Sequence, residues 1–276
     1  MEPRLTWTIA QREFREALRN KWLWFYTAGF TGLAFALPQA GLAAAGYAGL
    51  GGFGRTAASL INAFLLFVPL IGLSVGAGAL APDRERGTLL YLLAQPVNQA
   101  EVFGGKALGA TLAVIVALGL GFSLAGISLV ASAGSSHLLT YLALIGYTLL
   151  LALAALGMGF VISVVARKGA AASGAALLLW LGLVFFGDLG LIGATLAWRP
   201  TPAALLAMLL TNPLQQFKLA AIYALRSTLD TLGPVGQYAT YRFGDALPLL
   251  LLALLLGWIV LTFGAAFLIF RRKGDL

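Results

Sequence analysis

Six long apolar runs constrain this chain more than any other feature. Each is long enough for a helix to cross the hydrocarbon core of a bilayer, which needs about 20 residues. Only 10% of the 276 residues are charged and 60% are hydrophobic, which leaves too little polar surface for a soluble globule. We therefore predict an all-α polytopic membrane protein whose six spans lie at 22–45, 60–81, 107–131, 138–166, 170–197 and 246–270.

The distribution of lysine and arginine predicts the orientation. With the N-terminus inside, 13 of the 18 cations lie on the inner side and five on the outer side. Cations are enriched in the cytoplasmic loops of membrane proteins, so we expect both termini in the cytoplasm. In the first run, Pro38 and Gln39 interrupt the apolar pattern, and we expect its core to end near Leu37.

Residues 4–20 have the pattern of an amphipathic helix. Its apolar face carries Trp7, Ala10, Phe14, Ala17 and Leu18, and its polar face carries Gln11, Arg12, Arg15, Glu16 and Arg19. Such a helix is expected in the cytoplasmic interface, with its basic face toward anionic headgroups. It either serves only as a charged anchor or also meets a cytoplasmic partner.

The first cytoplasmic loop, 82–106, begins with the alternating charges of Asp83, Arg84, Glu85 and Arg86. Gly87 and Pro96 then bracket a helix of about two turns. A solvated loop would leave the apolar residues 89–93 exposed, whereas contact with a soluble protein would cover them. We therefore interpret this loop as a docking segment.

The second long segment outside the bilayer, 198–245, is predicted on the outer side. Asn212 and Pro213 have the pattern of a helix start, and Gly233–Pro234 that of its end. Leu214, Phe217, Ala221, Leu225 and Leu229 are compatible with one face of that helix. It is either an interfacial helix on the outer leaflet or a lid or docking platform for an extracytoplasmic partner.

Several kinds of chemistry find no support in the residues. The stretch Gly104-Gly105-Lys106 lacks the upstream glycine of a phosphate-binding loop and is followed by Ala107. There is no cysteine, and the one histidine is His137, so we expect no metal site and no cofactor in this chain.

Asp188 is the strongest ionisable candidate within a span. An intramembrane carboxylate is a functional hypothesis by default, but this one is near the predicted outer interface, and we favour a structural role.

Pairs of small residues four apart are interpreted as helix-packing faces: Gly72 with Gly76, Gly105 with Gly109, and Ala170 with Gly174.

Three stretches carry a resemblance to a known family. The sequence DRERGTLLYLLAQPV at 83–97, with GK at 105–106, resembles the cytoplasmic loop of ABC-2 class ABC-transporter permeases. TIAQREFREALRNKWLW at 8–24 resembles the elbow helix that opens those permeases. NPLQQFKLAAIYAL at 212–225 and TLGPVGQYA at 231–239 are similar to the branch of this family that supports maturation of nitrous oxide reductase.

The resemblance implies a single ABC-2 type transmembrane domain over 1–276, two copies of which form a homodimer of 12 spans in a bacterial inner membrane. ATP and Mg²⁺ would bind a separate cytoplasmic ATPase. Apart from the resemblance, the cations lie beside the apolar runs and form no separate basic domain, so we expect no nucleic-acid partner. The implied ATPase-coupling residues are Asp83, Arg84, Glu85, Arg86, Gly87, Thr88, Leu89, Leu92 and Pro96. The implied elbow residues are Trp7, Arg12, Glu13, Phe14, Arg15 and Leu18, and the implied contacts to an outer partner are Asn212, Pro213, Phe217 and Lys218.

The function implied by the resemblance is support for the copper centres of nitrous oxide reductase, by export of a sulfur-containing species or by transmission of ATPase motion to an outer copper-handling partner. Two alternatives stay open at this point. One is an ABC-2 exporter of another cargo, such as a drug, lipid or peptide. The other is an ion-coupled secondary transporter, which predicts inverted repeats and embedded charges.

Overall fold

The computed structural model describes residues 3–48, 51–133, 138–198, 200–224 and 234–273, and in these ranges the chain is helical without a strand. The helices are α1 (Pro3–Leu18), α2 (Lys21–Ala48), α3 (Gly51–Ala77), α4 (Ala81–Glu85), α5 (Thr88–Leu93), α6 (Gln99–Ala133), α7 (Leu138–Val165), α8 (Gly169–Trp198), α9 (Pro202–Leu209), α10 (Pro213–Ala224), α11 (Pro234–Phe243) and α12 (Leu247–Lys273). A 3₁₀ turn, Gly244–Ala246, leads into α12.

Five helical stretches in the described ranges are long and apolar enough to cross a membrane: Ile61–Glu85, Gln99–Leu124, Tyr141–Val165, Gly169–Trp198 and Gly236–Arg272. They correspond to the second to sixth predicted spans, which confirms a polytopic membrane protein.

The first predicted span falls in α2, and its crossing of the membrane stays a prediction. α2 continues past Pro38 to Ala48, so the helix does not end at this proline, and the position at which the apolar core of the span ends stays a prediction. Transmembrane helices tolerate an internal proline in this way.

The start of α6 differs from the predicted span, because the helix begins at Gln99 rather than near 107. Asn98 precedes this first turn, and its backbone amide donates to the Glu101 carboxylate at 3.0 Å. The Asn98 side-chain oxygen in turn accepts the Ala100 amide at 3.4 Å, so amides that the first helical turn leaves unpaired are satisfied in the manner of a capping box. As a result, Lys106 lies within a helix that continues into the bundle.

The centre of the bundle is the contact between α3 and α7. A Cβ atom on Gly72 would lie 2.9 Å from the Ala155 Cβ, and one on Gly76 would lie 2.9 Å from the Gly159 Cα. The absence of side chains therefore lets the two backbones approach, and the Gly72–Gly76 packing face is confirmed. Gly174 has no neighbour within 4 Å among the described residues, so the Ala170–Gly174 pair is not a packing face within this chain.

The helical segments outside the central spans lie at two ends of the bundle. We call the end that carries α1, α4 and α5 the inner end, following the predicted orientation. The Arg84 side chain bonds there to the carbonyl of Val164 at the end of α7, and the Phe103 ring lies 5.8 Å from that of Phe270 in α12. The outer end carries α9, α10 and α11.

The helix α10 enters the bundle and does not lie on the outer leaflet. Leu214, Phe217, Leu219 and Ala221 are all buried, and the helix contacts α3, α7, α8 and α12. The apolar residues predicted on one face therefore pack in the protein core. Leu225 and Leu229, which were assigned to the same face, lie outside the described residues.

Candidate coupling site at the inner end

A buried lysine joins three separate elements at the inner end. The Lys106 Nζ of α6 lies 2.5 Å from a Glu13 carboxylate oxygen of α1 and 2.7 Å from an Asp83 carboxylate oxygen of α4. It also donates to the Ala79 carbonyl at 2.8 Å. The Lys106 side chain is 3% exposed. We call Glu13, Asp83 and Lys106 the charge triad, and it fixes α1 and α4 to the start of α6.

The electrostatics of the charge triad set the protonation of Glu13. Burial disfavours its carboxylate and raises the pKa of Glu13 from 4.5 to about 6, although the charge and the hydrogen bond of Lys106 oppose this change. The negative charges of Asp83 and Glu16 add to the rise. Asp83 has a second partner, since the Thr88 hydroxyl donates to its carboxylate at 3.0 Å.

Two glycines of α6 explain how Glu13 reaches Lys106. A Cβ atom on Gly105 would lie 2.7 Å from the Ile9 Cβ, and one on Gly109 would lie 2.7 Å from the Glu13 Cβ. Side chains at these positions would push α1 away from α6. The Gly105–Gly109 packing face is thus confirmed, and its partner is the N-terminal helix.

The charged residues after Asp83 cap the ends of two spans. The Arg84 guanidinium donates to the carbonyls of Val164 and Ala166 at 2.9 and 2.8 Å, which satisfies acceptors at the end of α7. A Glu85 carboxylate oxygen accepts the Gly169 amide of α8 at 2.9 Å, where a negative charge is favoured. Arg84 and Glu85 therefore hold the α4–α5 segment against the bundle.

Ser163 completes this attachment from within α7. Its buried hydroxyl accepts the amides of Leu80 and Ala81 at 2.9 and 2.8 Å and donates to the Ala77 carbonyl at 2.8 Å. These groups belong to the break between α3 and α4, where the helical bonds are interrupted. Sequence reasoning missed Ser163, because a lone serine in an apolar run carries no signal of such a role.

The helix α5 presents a different surface from the one predicted. Gly87 has a φ of +74°, a left-handed conformation that favours glycine, and it separates α4 from α5. Leu89 is buried and Leu92 is half-buried, so both face the bundle. The exposed apolar side chains are Leu90 and Tyr91, at 58% and 73%. Of the other residues predicted to couple, Arg86 and Pro96 are exposed.

The buried face of α1 is also turned from the predicted one. Thr6, Ala10 and Glu13 are buried, whereas Trp7 is 54% exposed. Phe14 and Leu18 are half-buried, and Arg12 and Arg15 are exposed. The shift arises because α1 packs on the glycines of α6, where small residues fit and a tryptophan would not.

At the outer end, Asp188 links α8 to α10. One of its carboxylate oxygens accepts from the Gln215 amide and from the Lys218 ammonium, each at 3.0 Å. The Asn212 side-chain amide donates to the Leu183 carbonyl of α8 at 2.8 Å. These contacts support the structural reading of Asp188.

The predicted contacts to an outer partner need a correction. Pro213 and Phe217 are buried in the core of the chain, so their side chains are not on a docking surface in this conformation. Asn212 and Lys218 are partly exposed, but both bond to α8.

Metal-ligating side chains do not cluster in the part of the chain that the structure describes: no group of three or more histidine, aspartate, glutamate or cysteine residues there could hold an ion. Met158 is buried, and Met208 is 40% exposed. His137 lies outside the described residues.

Comparison with known protein families matches residues 7–274 to the family described as ABC-2 family transporter protein. The chain therefore belongs to the ABC-2 transporter family, and the resemblance at 83–97 is confirmed. Membership makes it a multi-pass membrane subunit, or permease, of an ABC transporter, a class that associates with an ABC ATPase and dimerises.

Two relatives are both named probable ABC transporter permease protein NosY. The one from Pseudomonas aeruginosa is 33% identical over 221 residues, which cover 78% of this chain and 80% of that protein. The one from Stutzerimonas stutzeri is 28% identical over 273 residues, which cover 97% of this chain and 98% of that protein.

Proposed function

We propose that this chain is the permease through which a separate cytoplasmic ATPase drives a transporter that supports assembly of the copper centres of nitrous oxide reductase. The observation that carries the coupling role is the exposed pair Leu90 and Tyr91 on a short helix at the inner end. Exposed apolar side chains of this size are typical of a protein contact.

The ATPase, a NosF-like protein that binds ATP and Mg²⁺, contacts this surface of α5. Arg86 and the exposed face of α1 lie beside it, since the Arg86 guanidinium is 3.9 Å from the Glu16 carboxylate of α1. Arg12 and Arg15 extend the same surface along α1. The elbow helix therefore forms part of the docking surface as well as bracing it.

Motion of the ATPase passes to the spans through the bonds of the α4–α5 segment. Arg84 and Glu85 bond to the ends of α7 and α8, and the charge triad connects the segment to α1 and α6. A displacement of α5 thus moves four elements together, as a rigid-body shift between two states. The difference in ATPase affinity for those states supplies the free energy.

The finer assignment rests on the two relatives named NosY and on the resemblance at 212–225. By that assignment two copies form a homodimer of 12 spans, and a NosD-like protein docks on the outer side. Copper(I) prefers cysteine, methionine or histidine ligands. This chain has no cysteine, one histidine and three methionines, of which Met158 lies in a span. We therefore infer that it exports a sulfur-containing species, or transmits motion to the outer copper-handling partner, and does not relay bare copper.

The coupling role is tested by co-purification of the ATPase with tagged permease. Serine at both Leu90 and Tyr91 should lower ATPase retention by at least about tenfold, because truncation of buried interface anchors typically costs more than 1 kcal/mol each. Tyr241→Ser, at a tyrosine 90% exposed near the outer end, is the matched control and should retain the ATPase. Unchanged retention in the double variant would contradict the assignment. Arg84 and Glu85 are poor sites for this test, because their substitution also disturbs α7 and α8.

The finer assignment has its own test. Nitrous oxide reductase from cells that lack this chain should contain little copper, and expression of the wild-type chain should restore it. A copper-replete reductase in the deletion strain would overturn the nitrous-oxide role and leave the permease role intact. Tight, near-stoichiometric copper on the purified dimer would contradict the inference about cargo.

A further inference from the structure

A cavity of about 710 Å³ lies at the inner end, between α1, the start of α2, α3, α4 and α8. Its volume is in the range of pockets that bind small molecules. It lies apart from Leu90 and Tyr91, although Arg86 at its edge also borders the proposed docking surface.

Two arginines and two glutamates line the cavity: Arg19, Arg86, Glu13 and Glu16. Glu13 is bonded to Lys106 in the charge triad, whereas Arg19 and Arg86 lie at the exposed edge of the cavity. The Glu16 carboxylate is shared, since it lies 3.9 Å from the Arg86 guanidinium and 4.0 Å from that of Arg12. Arg19 is exposed, and no ion pair is seen for it within the described ranges.

The deeper wall of the cavity is apolar. Leu70 and Leu73 of α3 and Leu177 of α8 line it. At 1.5 Å per residue, Leu177 lies about 12 Å farther from the inner end than Gly169, where α8 begins. The cavity therefore extends from the charged inner end to the depth of the acyl chains.

Two further features indicate an amphipathic occupant. Ser74 is among the residues that line the cavity, and its buried hydroxyl oxygen has no hydrogen-bond partner in the described part of the chain. Such a group is costly unless a ligand or water satisfies it. Trp22 and Tyr26 stack at 5.9 Å between their ring centroids beside the rim, and these residue types favour the level of the lipid headgroups.

We propose that this cavity binds an anionic phospholipid of the inner leaflet. Its phosphate lies between Arg19 and Arg86, and an acyl chain follows Leu73 and Leu177. The site is independent of the transported cargo, so failure of this proposal would leave the nitrous-oxide role unaffected, and the reverse also holds.

The test uses the full-length chain purified in mild detergent and titrated with phosphatidylglycerol, with bound lipid counted by native mass spectrometry. Each arginine near the surface is worth about fivefold in affinity for an anionic lipid, so R19Q/R86Q should weaken binding about 30-fold. R4Q/R15Q makes the same charge change on the exposed face of α1 and should bind like the wild type. Ser173→Trp, at an exposed serine that lines the cavity, should block binding without a charge change.

Four results would overturn the proposal. Equal losses in the two double arginine variants would mean adsorption to a basic surface and no defined site. Equal binding of phosphatidylcholine would remove the role of the arginines. Displacement of the lipid by millimolar inorganic phosphate would assign the site to a soluble anion. Retention of phosphatidylglycerol by Ser173→Trp would show that the lipid binds outside the cavity.

Discussion

Replacement of Lys106 by methionine tests the energetic role of the charge triad most directly. Methionine keeps most of the apolar stem of the side chain and removes the ammonium that Glu13 and Asp83 share. Both carboxylates then stay buried without a counter-charge. Loss of one partner from a buried ion pair typically costs about 3–5 kcal/mol.

The surroundings of Glu13 and Asp83 give a second value for the free energy of unfolding that Lys106→Met should remove. At pH 7, protonation of a carboxyl whose unfolded pKa is 4.5 costs about 3 kcal/mol. The pKa of Glu13 is already raised to about 6, which accounts for about 2 kcal/mol in the wild type, so neutral Glu13 adds about 1–2 kcal/mol in the variant. Asp83 also loses a charge-assisted hydrogen bond worth about 1.5–3 kcal/mol. The sum is again about 3–5 kcal/mol.

The assay is reversible unfolding in mixed detergent micelles at pH 7, followed by tryptophan fluorescence. Lys168→Met is the matched control, because Lys168 is exposed at the same end of the bundle, and it should change the free energy of unfolding by no more than about 0.5 kcal/mol. Addition of Glu13→Gln to Lys106→Met should restore about 3 kcal/mol, since it removes the whole cost of protonating the buried Glu13 at pH 7. A double variant less stable than Lys106→Met, or a Lys106→Met variant as stable as the control, would refute the reasoning.

Three further predictions use the same unfolding assay. Gly109→Ala should lower the free energy of unfolding by about 1–3 kcal/mol, because its methyl group would overlap α1. Gly257 has no neighbour within 4 Å, so Gly257→Ala should not destabilise the protein, and equal effects of the two substitutions would contradict the packing of α1 on α6. Ser163→Ala should cost about 1–3 kcal/mol, because two buried amides lose their acceptor, while Ser123→Ala removes only a bond to its own helix and should have little effect. Because the folded pKa of Glu13 is raised, its stabilising contribution is complete below about pH 4.5 and is lost as the pH rises through about 6. The wild type should therefore lose nearly 2 kcal/mol relative to Glu13→Gln between pH 4 and pH 7, and a pH-independent difference would count against a buried, ionising Glu13.

The spans and the segments between them were largely predictable, because apolar length is a local property of the sequence. The bracket of Gly87 and Pro96 predicted α5 well, since both residues act on their own backbone. The capping box at Asn98 and Glu101 was also readable, and it would have placed the start of α6 correctly. The pairing of Gly105 and Gly109 predicted a packing face but not that α1 is its partner.

The roles of the charged residues were not predictable to the same extent. The sequence pattern predicts a solvent-exposed docking cluster at Asp83, Arg84 and Glu85. In the structure these side chains instead bond to Lys106, Val164 and Gly169, which are 23, 80 and 84 positions away along the chain. Only the folded bundle brings these groups together. The burial of Phe217 has the same origin, because its apolar face fits an outer leaflet as well as a core and only the contacts of α10 distinguish the two.

The charge triad also sets an order of assembly during synthesis. Glu13 and Lys106 are 93 residues apart, and at 5–20 residues per second a ribosome needs roughly 5–20 s to add that length. Throughout this interval the N-terminal helix has left the ribosome without its lysine partner. Its exposed Trp7 and its arginines favour binding of this helix at the membrane surface during that interval. Docking of α1 then becomes a late step, which begins only after the helix that carries Lys106 has emerged.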